Sequence, residues 1–176
     1  MASVSMVVGV TGSSATTLDF ESEFLERIRE IVGSLPKGSA ELYVGRHPSH
    51  PESLPYFRVI PTNSLAAEIE GYVCEGQGID FKIGCATGGE VFVSSKRTAR
   101  DRARVEEFLE ICRAVFASGL TEMIVFNSSG GRVHSEIALG FKGRKIRLHS
   151  GWFLWRLFPN KTVRHLSYEP YYRDSI

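Results

Sequence analysis

Cysteine is scarce in this chain, which argues against a disulfide framework. Only three cysteines, Cys74, Cys85 and Cys112, occur among 176 residues. An odd, scattered set does not supply the regular pairs that hold small secreted domains together. We therefore predict reduced, mostly buried thiols in a cytoplasmic protein.

Long apolar runs are also lacking. No stretch approaches the roughly 20 apolar residues that a membrane-spanning helix requires. Residues 1–10, MASVSMVVGV, have no basic region ahead of their short apolar run, so they do not fit the pattern of a secretory signal. These absences disfavour a membrane as a partner.

No catalytic or nucleotide-binding motif is present. The segment TGSSATT at residues 11–17 has neither the lysine of a P-loop nor the later glycines of a dinucleotide fingerprint. His47 and His50 lie in a proline-rich loop, and no further cysteine or histidine is close to them in sequence. We predict a flexible or turn-forming leader over residues 1–17, an exposed loop at the two histidines, and neither a cofactor nor a metal ion.

The strongest positive signal is an amphipathic helix beginning near residue 98. Thr98 followed by Asp101 can cap a helix start, and Gly119 can end the last turn. Six apolar residues recur at helical spacing between these points and form one stripe. They are Val105, Phe108, Leu109, Cys112, Val115 and Phe116.

After Gly119 the period changes from 3.6 to 2, which predicts antiparallel strands. A two-residue turn at Lys142-Gly143 would join strands at residues 132–141 and 144–149. In that register Leu139 faces Ile146 and Ile137 faces Leu148 on one side of the hairpin. The other side carries Glu136 opposite His149 and Ala138 opposite Arg147. A slip by one residue would pair apolar with charged side chains, so the register is well specified.

The remaining elements complete an α+β fold. We predict a first helix at 19–32, strands at 40–44, 56–60, 68–74, 79–83, 90–94 and 122–126, and an edge strand from the tail 162–172. Runs of strands with helices set between them indicate α+β, not alternating βαβ units. We expect one domain over residues 1–176, built as two layers. A mostly antiparallel sheet of about seven or eight strands would carry the two main helices on one face.

The formal net charge of +1 hides an uneven distribution. Residues 129–176 contain nine Lys and Arg against three Asp and Glu, whereas the rest of the chain contains 12 against 17. This asymmetry can mark a basic face for an acidic partner, or two solvated surfaces that attract each other within the fold. The isoelectric point of about 7.8 disfavours nucleic acid as the partner.

One candidate site is the ionic side of the hairpin. His134, Glu136 and His149 are the candidate catalytic residues, with Arg147 and Lys145 beside them. A carboxylate facing an imidazole could orient it, and a neighbouring arginine could hold an anionic substrate. The same cross-strand pairs also occur on any solvated sheet face. The alternative hypothesis is therefore a small enzyme that acts on an anionic substrate through these residues.

The favoured hypothesis is that the chain is a non-enzymatic binding protein. Aromatic residues are concentrated at 151–159, where Trp152 and Trp155 either cover the open end of the core or form an exposed anchor. Arg147, Arg156 and Arg164 supply positive charge around them. We predict a small protein that neutralises or regulates an acidic protein partner through these five residues.

Overall fold

The protein is described by a computed structural model covering residues 20–46, 54–74, 78–93, 98–141, 143–157 and 159–172. The predicted leader at 1–17 and the loop with His47 and His50 lie outside these residues. The elements follow in the order α1 (Phe20–Gly33), β1 (Ala40–Arg46), β2 (Pro55–Pro61), β3 (Ile69–Cys74), β4 (Gly78–Ile83), β5 (Thr87–Phe92), α2 (Ala99–Ser118), β6 (Leu120–Phe126), β7 (Arg132–Phe141), β8 (Arg144–Gly151), a short 3-10 helix (Phe153–Leu157) and β9 (Thr162–Tyr168).

The predicted α+β fold with antiparallel pairing is confirmed. Among the described residues there are two α-helices and nine strands, and the strands divide into two sheets instead of one. The first sheet has the order β1-β2-β3-β4-β5, so every neighbour is joined by a short connection. The second has the order β8-β7-β6-β9, and the tail strand β9 lies at its edge as predicted.

The hairpin register in the second sheet is the one expected from the sequence. Leu139 pairs with Ile146 and Glu136 pairs with His149, across a turn in which Gly143 has a φ of 72°. Ile137 and Leu139 are buried, and their partners on β8 pack against the same core. The other side of the sheet faces away from α2, and we call it the outer face.

Helix α2 is the centre of the core. Its predicted apolar stripe is buried, and Ile111 and Ala114, which lie outside that stripe, are buried too. The wider burial arises because α2 packs against β5 of the first sheet and β7 of the second. Helix α1 packs on β1, β2 and α2. Both helices therefore lie on the inner side of the strands, as the fold prediction requires.

The ends of α2 follow the predicted signals. The hydroxyl of Thr98 accepts from the backbone N–H of Asp101, and the Asp101 carboxylate accepts from Thr98, forming a capping box. At the other end the N–H of Gly119 donates to the carbonyl of Val115. Neither described helix is apolar enough over its length to cross a membrane.

Of the two cysteines whose side chains are described, one is buried, as predicted for most of the thiols, and the other is exposed. Cys112 is buried on α2, where desolvation raises the pKa of its thiol. Cys85 is exposed, because it lies in the turn between β4 and β5 and not within a strand. Both are free thiols.

Candidate functional site

The outer face of the second sheet brings the three candidate catalytic residues together. Glu136 and His149 are paired across β7 and β8, and His134 lies two residues before Glu136 on the same side of β7. The ring centroids of His134 and His149 are 6.5 Å apart. Met123 of β6 pairs with Glu136 on one side and with His165 of β9 on the other, so His165 is on this face as well.

His134 is not solvated, although it lies on the ionic side of the hairpin. Only 5% of it is exposed, because the chain after β8 turns back over the sheet and lays Trp155 on the imidazole. The ring centroids are 5.3 Å apart at an interplanar angle of 18°. The N–H of Trp152 donates to the carbonyl of Val133 at 2.9 Å, which anchors the returning segment. The tryptophan region therefore covers the outer face, not the open end of the core.

Burial has an electrostatic consequence for His134. Its Nδ1 atom has no hydrogen-bond partner among the described residues. Desolvation lowers the pKa of the imidazole, and His149 and Arg156 lower it further, whereas Glu136 acts in the opposite direction. Burial against Trp155 therefore favours the neutral imidazole over the charged one.

We expect acid to weaken the fold through His134. Because its folded pKa lies below the ordinary 6.5, the stabilisation is complete above 6.5 and is lost as the pH falls towards the folded value. Urea unfolding at about pH 7.5 and about pH 5.5 should show a larger loss for the wild type than for His134→Phe, which keeps a ring against Trp155. His165→Asn retains His134 and should behave like the wild type. Parallel pH dependence in the wild type and His134→Phe would contradict this assignment.

Glu136 forms a different contact from the one an enzyme would need. Its carboxylate lies 3.7 Å from the guanidinium of Arg147, and His149 beside it is exposed. Within the described part of the chain, no group of three or more His, Cys, Asp or Glu residues could hold a metal ion. The arrangement can bind an anion, but it does not pre-position a nucleophile.

The aromatic segment, which we define as residues 152–157, is an exposed apolar surface bordered by cations. Trp152 is 59% exposed, Leu154 40% and Leu157 76%. The guanidinium of Arg156 and the ammonium of Lys161 lie 5.6 Å and 5.3 Å from the Trp155 ring centroid. Cation–π contacts of this kind contribute about 0.5–1 kcal/mol each at exposed sites. They fix the position of Trp155.

The five predicted binding residues do not form one surface. Trp152, Trp155 and Arg156 belong to the aromatic segment, and Arg147 lies on the outer face of β8. Arg164 of β9 pairs with Ile124, a core-side residue, so it projects from the opposite face and stacks over Phe126 at 5.4 Å. Arg164 therefore lies on a different surface from the other four residues, because the face of each β9 residue could not be read from the tail sequence.

A buried polar cluster around Glu122 was not expected from the sequence. Glu122 is completely buried on the core side of β6. Its Oε1 accepts from the N–H groups of Ala86 and Thr87 at 2.9 and 2.8 Å and from the Thr87 hydroxyl at 2.8 Å. Its Oε2 accepts from the N–H of Cys85 and the hydroxyl of Tyr168, both at 2.9 Å. The only available signal was the alternation of Leu120, Glu122 and Ile124, which places a charge among core residues.

The Glu122 cluster joins the two sheets. The β4–β5 turn of the first sheet wraps around the carboxylate on β6, and Tyr168 of β9 completes the shell. A Cβ at Gly84, whose φ is +69°, would lie 2.8 Å from Glu122 Oε2, so glycine is required for the turn to approach. Burial raises the pKa of the Tyr168 hydroxyl well above its usual value, as do its hydrogen bonds to Cys85 and Glu122. Five donors satisfy the carboxylate, and we assign the cluster a structural role.

Comparisons of the chain with protein families, with curated proteins and with solved structures found no match in any of the three.

Proposed function

We propose that this chain is a non-enzymatic cytoplasmic binding protein that docks an acidic protein partner and neutralises or regulates it. The observation that carries the proposal is the aromatic segment, where Trp152, Leu154 and Leu157 expose apolar area beside basic side chains. Exposed apolar area of this kind, next to charge of one sign, is typical of interaction sites. The unpaired thiols of Cys85 and Cys112 are in keeping with a reducing compartment.

Charge favours an acidic partner. Lys145 and Arg147 project from the outer face of β8, and Arg156 and Lys161 flank the aromatic segment. Among the described strand residues that project from the outer face, Glu136 alone is acidic. Its carboxylate is already close to the guanidinium of Arg147. The excess of positive charge would attract an acidic surface and speed its encounter, in a manner that salt weakens.

The aromatic segment is also suited to be the energetic centre of an interface. Trp155 stacks on His134, and the cationic groups of Arg156 and Lys161 also contact its ring. A side chain held in place before binding loses little conformational entropy when a partner covers it. Tryptophan and arginine are the residue types that most often carry binding energy.

An enzymatic use of His134, Glu136 and His149 has less support. His134 is covered by Trp155, and Glu136 is engaged with Arg147. A cavity of about 790 Å³ lies between α2 and β8, and its lining comprises residues 103, 106, 107, 110 and 111 with 144–147, none of them in this trio. The enzyme hypothesis would be favoured if turnover of an anionic substrate were measured and if His149→Ala and Glu136→Ala each abolished it while the fold stayed intact.

The proposal is tested by capturing a partner from the native cell and measuring the purified pair by calorimetry. The double variant Leu157→Asp with Arg156→Glu should weaken binding by about a hundredfold, since both residues are exposed and the fold should be retained. Leu65→Asp is the matched control, because Leu65 is 59% exposed on the loop after β2, and it should change affinity by less than about twofold. A partner without an acidic surface, or equal binding by the double variant, would contradict the proposal.

A further inference from the structure

Strand β8 has an edge that no described strand pairs with. It is the first strand of the order β8-β7-β6-β9. Strand β5 lies beside it, near Leu148 and Ser150, without forming a ladder. Residues 144–147 instead border the cavity of about 790 Å³ in front of α2. An edge with space beside it can accept another extended chain.

The direction of the backbone groups on this edge follows from the ladder. The N–H of Trp152 donates to Val133, so 133 and 152 are a hydrogen-bonded pair in the register of the hairpin. Hydrogen-bonded and non-hydrogen-bonded pairs alternate in antiparallel sheets. Leu139 with Ile146 and Ile137 with Leu148 are therefore hydrogen-bonded pairs. It follows that the backbone N–H and C=O groups of Lys145, Arg147 and His149 point away from β7. Those of Lys145 and Arg147 face the open part of the edge, whereas His149 lies in the part beside β5.

Side chains along the edge specify what an added strand would carry. Lys145 and Arg147 project from the outer face, so a negatively charged residue placed opposite either of them forms a stabilising cross-strand pair. Ile146 projects inward and lines the cavity with Ile111 of α2, so a residue opposite Ile146 is stabilised by apolar contact. Three carboxylates of α2, those of Glu106, Glu107 and Glu110, border the same cavity, and they disfavour an acidic residue on the inward side. The edge therefore favours alternating acidic and apolar residues.

A second copy of this chain does not fit the same edge. Antiparallel pairing of two β8 strands would set Lys145 and Arg147 of one copy against the same cations of the other. Like charges directly opposite each other are destabilising. Basic residues on an edge strand thus discourage self-association and still admit an acidic strand.

We propose that the acidic partner contributes an extended segment of alternating acidic and apolar residues, which adds to β8 as an antiparallel strand. This inference rests on the proposed function, and it names the element of the partner that is recognised. Backbone hydrogen bonds to Lys145 and Arg147 would hold the segment, and the aromatic segment, which follows the other end of β8, would contact the rest of the partner.

Synthetic peptides test the proposal on the wild-type protein. The probe is acetyl-Glu-Val-Glu-Val-Glu-Val-Glu-amide with a fluorescent label, followed by anisotropy. In the proposed register the central Val lies opposite Ile146, and the two Glu residues beside it lie opposite Lys145 and Arg147 and direct their own N–H groups towards β8, whereas each Val N–H points away. N-methylation of the Glu opposite Arg147 should therefore weaken binding at least about tenfold, and N-methylation of the central Val less than about threefold. Equal effects of the two modifications would overturn strand addition.

Two further comparisons separate this inference from the proposed function. A peptide of the same composition with its Glu and Val residues in separate blocks should bind at least about tenfold more weakly, because the alternation is lost. Arg147→Pro removes an edge N–H without removing a hydrogen bond to β7, and it should weaken probe binding more than Arg147→Ala does. Capture of an acidic partner that depends on Leu157, together with no preference among the peptides, would overturn strand addition and leave the proposed function standing. If the protein prefers the alternating peptide but no acidic partner is captured, the proposed function would be overturned and strand addition to β8 would stand.

Discussion

Replacement of Glu122 by alanine is expected to lower the free energy of unfolding by about 4 kcal/mol. The change leaves the N–H groups of Ala86 and Thr87 and the hydroxyls of Thr87 and Tyr168 without their acceptor, and the Cys85 N–H keeps only the Tyr168 hydroxyl, at 3.1 Å. These donors are in the region where the two sheets meet, so water cannot replace the carboxylate without opening the contact. Urea unfolding followed by tryptophan fluorescence measures the loss.

Glu122→Gln separates charge from shape at this site. The amide keeps one acceptor oxygen, but its nitrogen must face either the Cys85 N–H or the Ala86 and Thr87 N–H groups, which are all donors. We expect an intermediate loss of about 2 kcal/mol. Glu90→Ala on the exposed face of β5 is the control and should change stability by less than about 0.5 kcal/mol. A Glu122→Ala variant as stable as this control would show that the cluster does not hold the sheets together.

Replacement of Phe108 by alanine is expected to have an effect of similar size, about 4 kcal/mol. Phe108 is 1% exposed, and its ring centroid lies 4.6 Å from Phe81, 6.0 Å from Phe24 and 6.5 Å from Phe57. These rings come from both helices and from β2 and β4. Truncation therefore leaves a cavity where α1, α2 and the first sheet meet, and rigid strands cannot collapse into it.

Phe92→Ala makes the same chemical change at an exposed position. Phe92 is at the end of β5 and is 59% exposed, so its truncation should cost less than about 1 kcal/mol. Both variants can be followed by urea unfolding in parallel. A loss in Phe108→Ala no larger than that in Phe92→Ala would mean that the aromatic cluster is not the centre of the core.

The hairpin and α2 were predictable because their signals are local. Hydrophobic alternation and a two-residue turn specify which residues of β7 and β8 face each other, and Thr98 with Asp101 specifies where α2 begins. The pairing of Glu136 with His149 followed from the same rule. These features depend on neighbours within about 20 residues, which a sequence displays directly.

The environment of the candidate site could not be predicted in the same way. Alternation correctly assigns His134 to the outer face, yet the ring is buried because Trp155 returns over it. The face of the sheet from which Arg164 projects depends on how β9 pairs with β6. These two strands are about 40 residues apart in sequence. Periodicity gives the face of a strand but not what later covers that face.

The amino-acid sequence by itself determined the α+β class, the apolar stripe of α2, the hairpin register and the basic character of the C-terminal part. Each of these follows from local periodicity, turn chemistry or composition. Only the tertiary structure decided the division of the nine described strands into two sheets, the burial of Glu122 and His134, and the open edge of β8. The physical reason is that these features arise from contacts between distant segments, where packing and hydrogen-bond satisfaction select one arrangement from several that the local pattern allows.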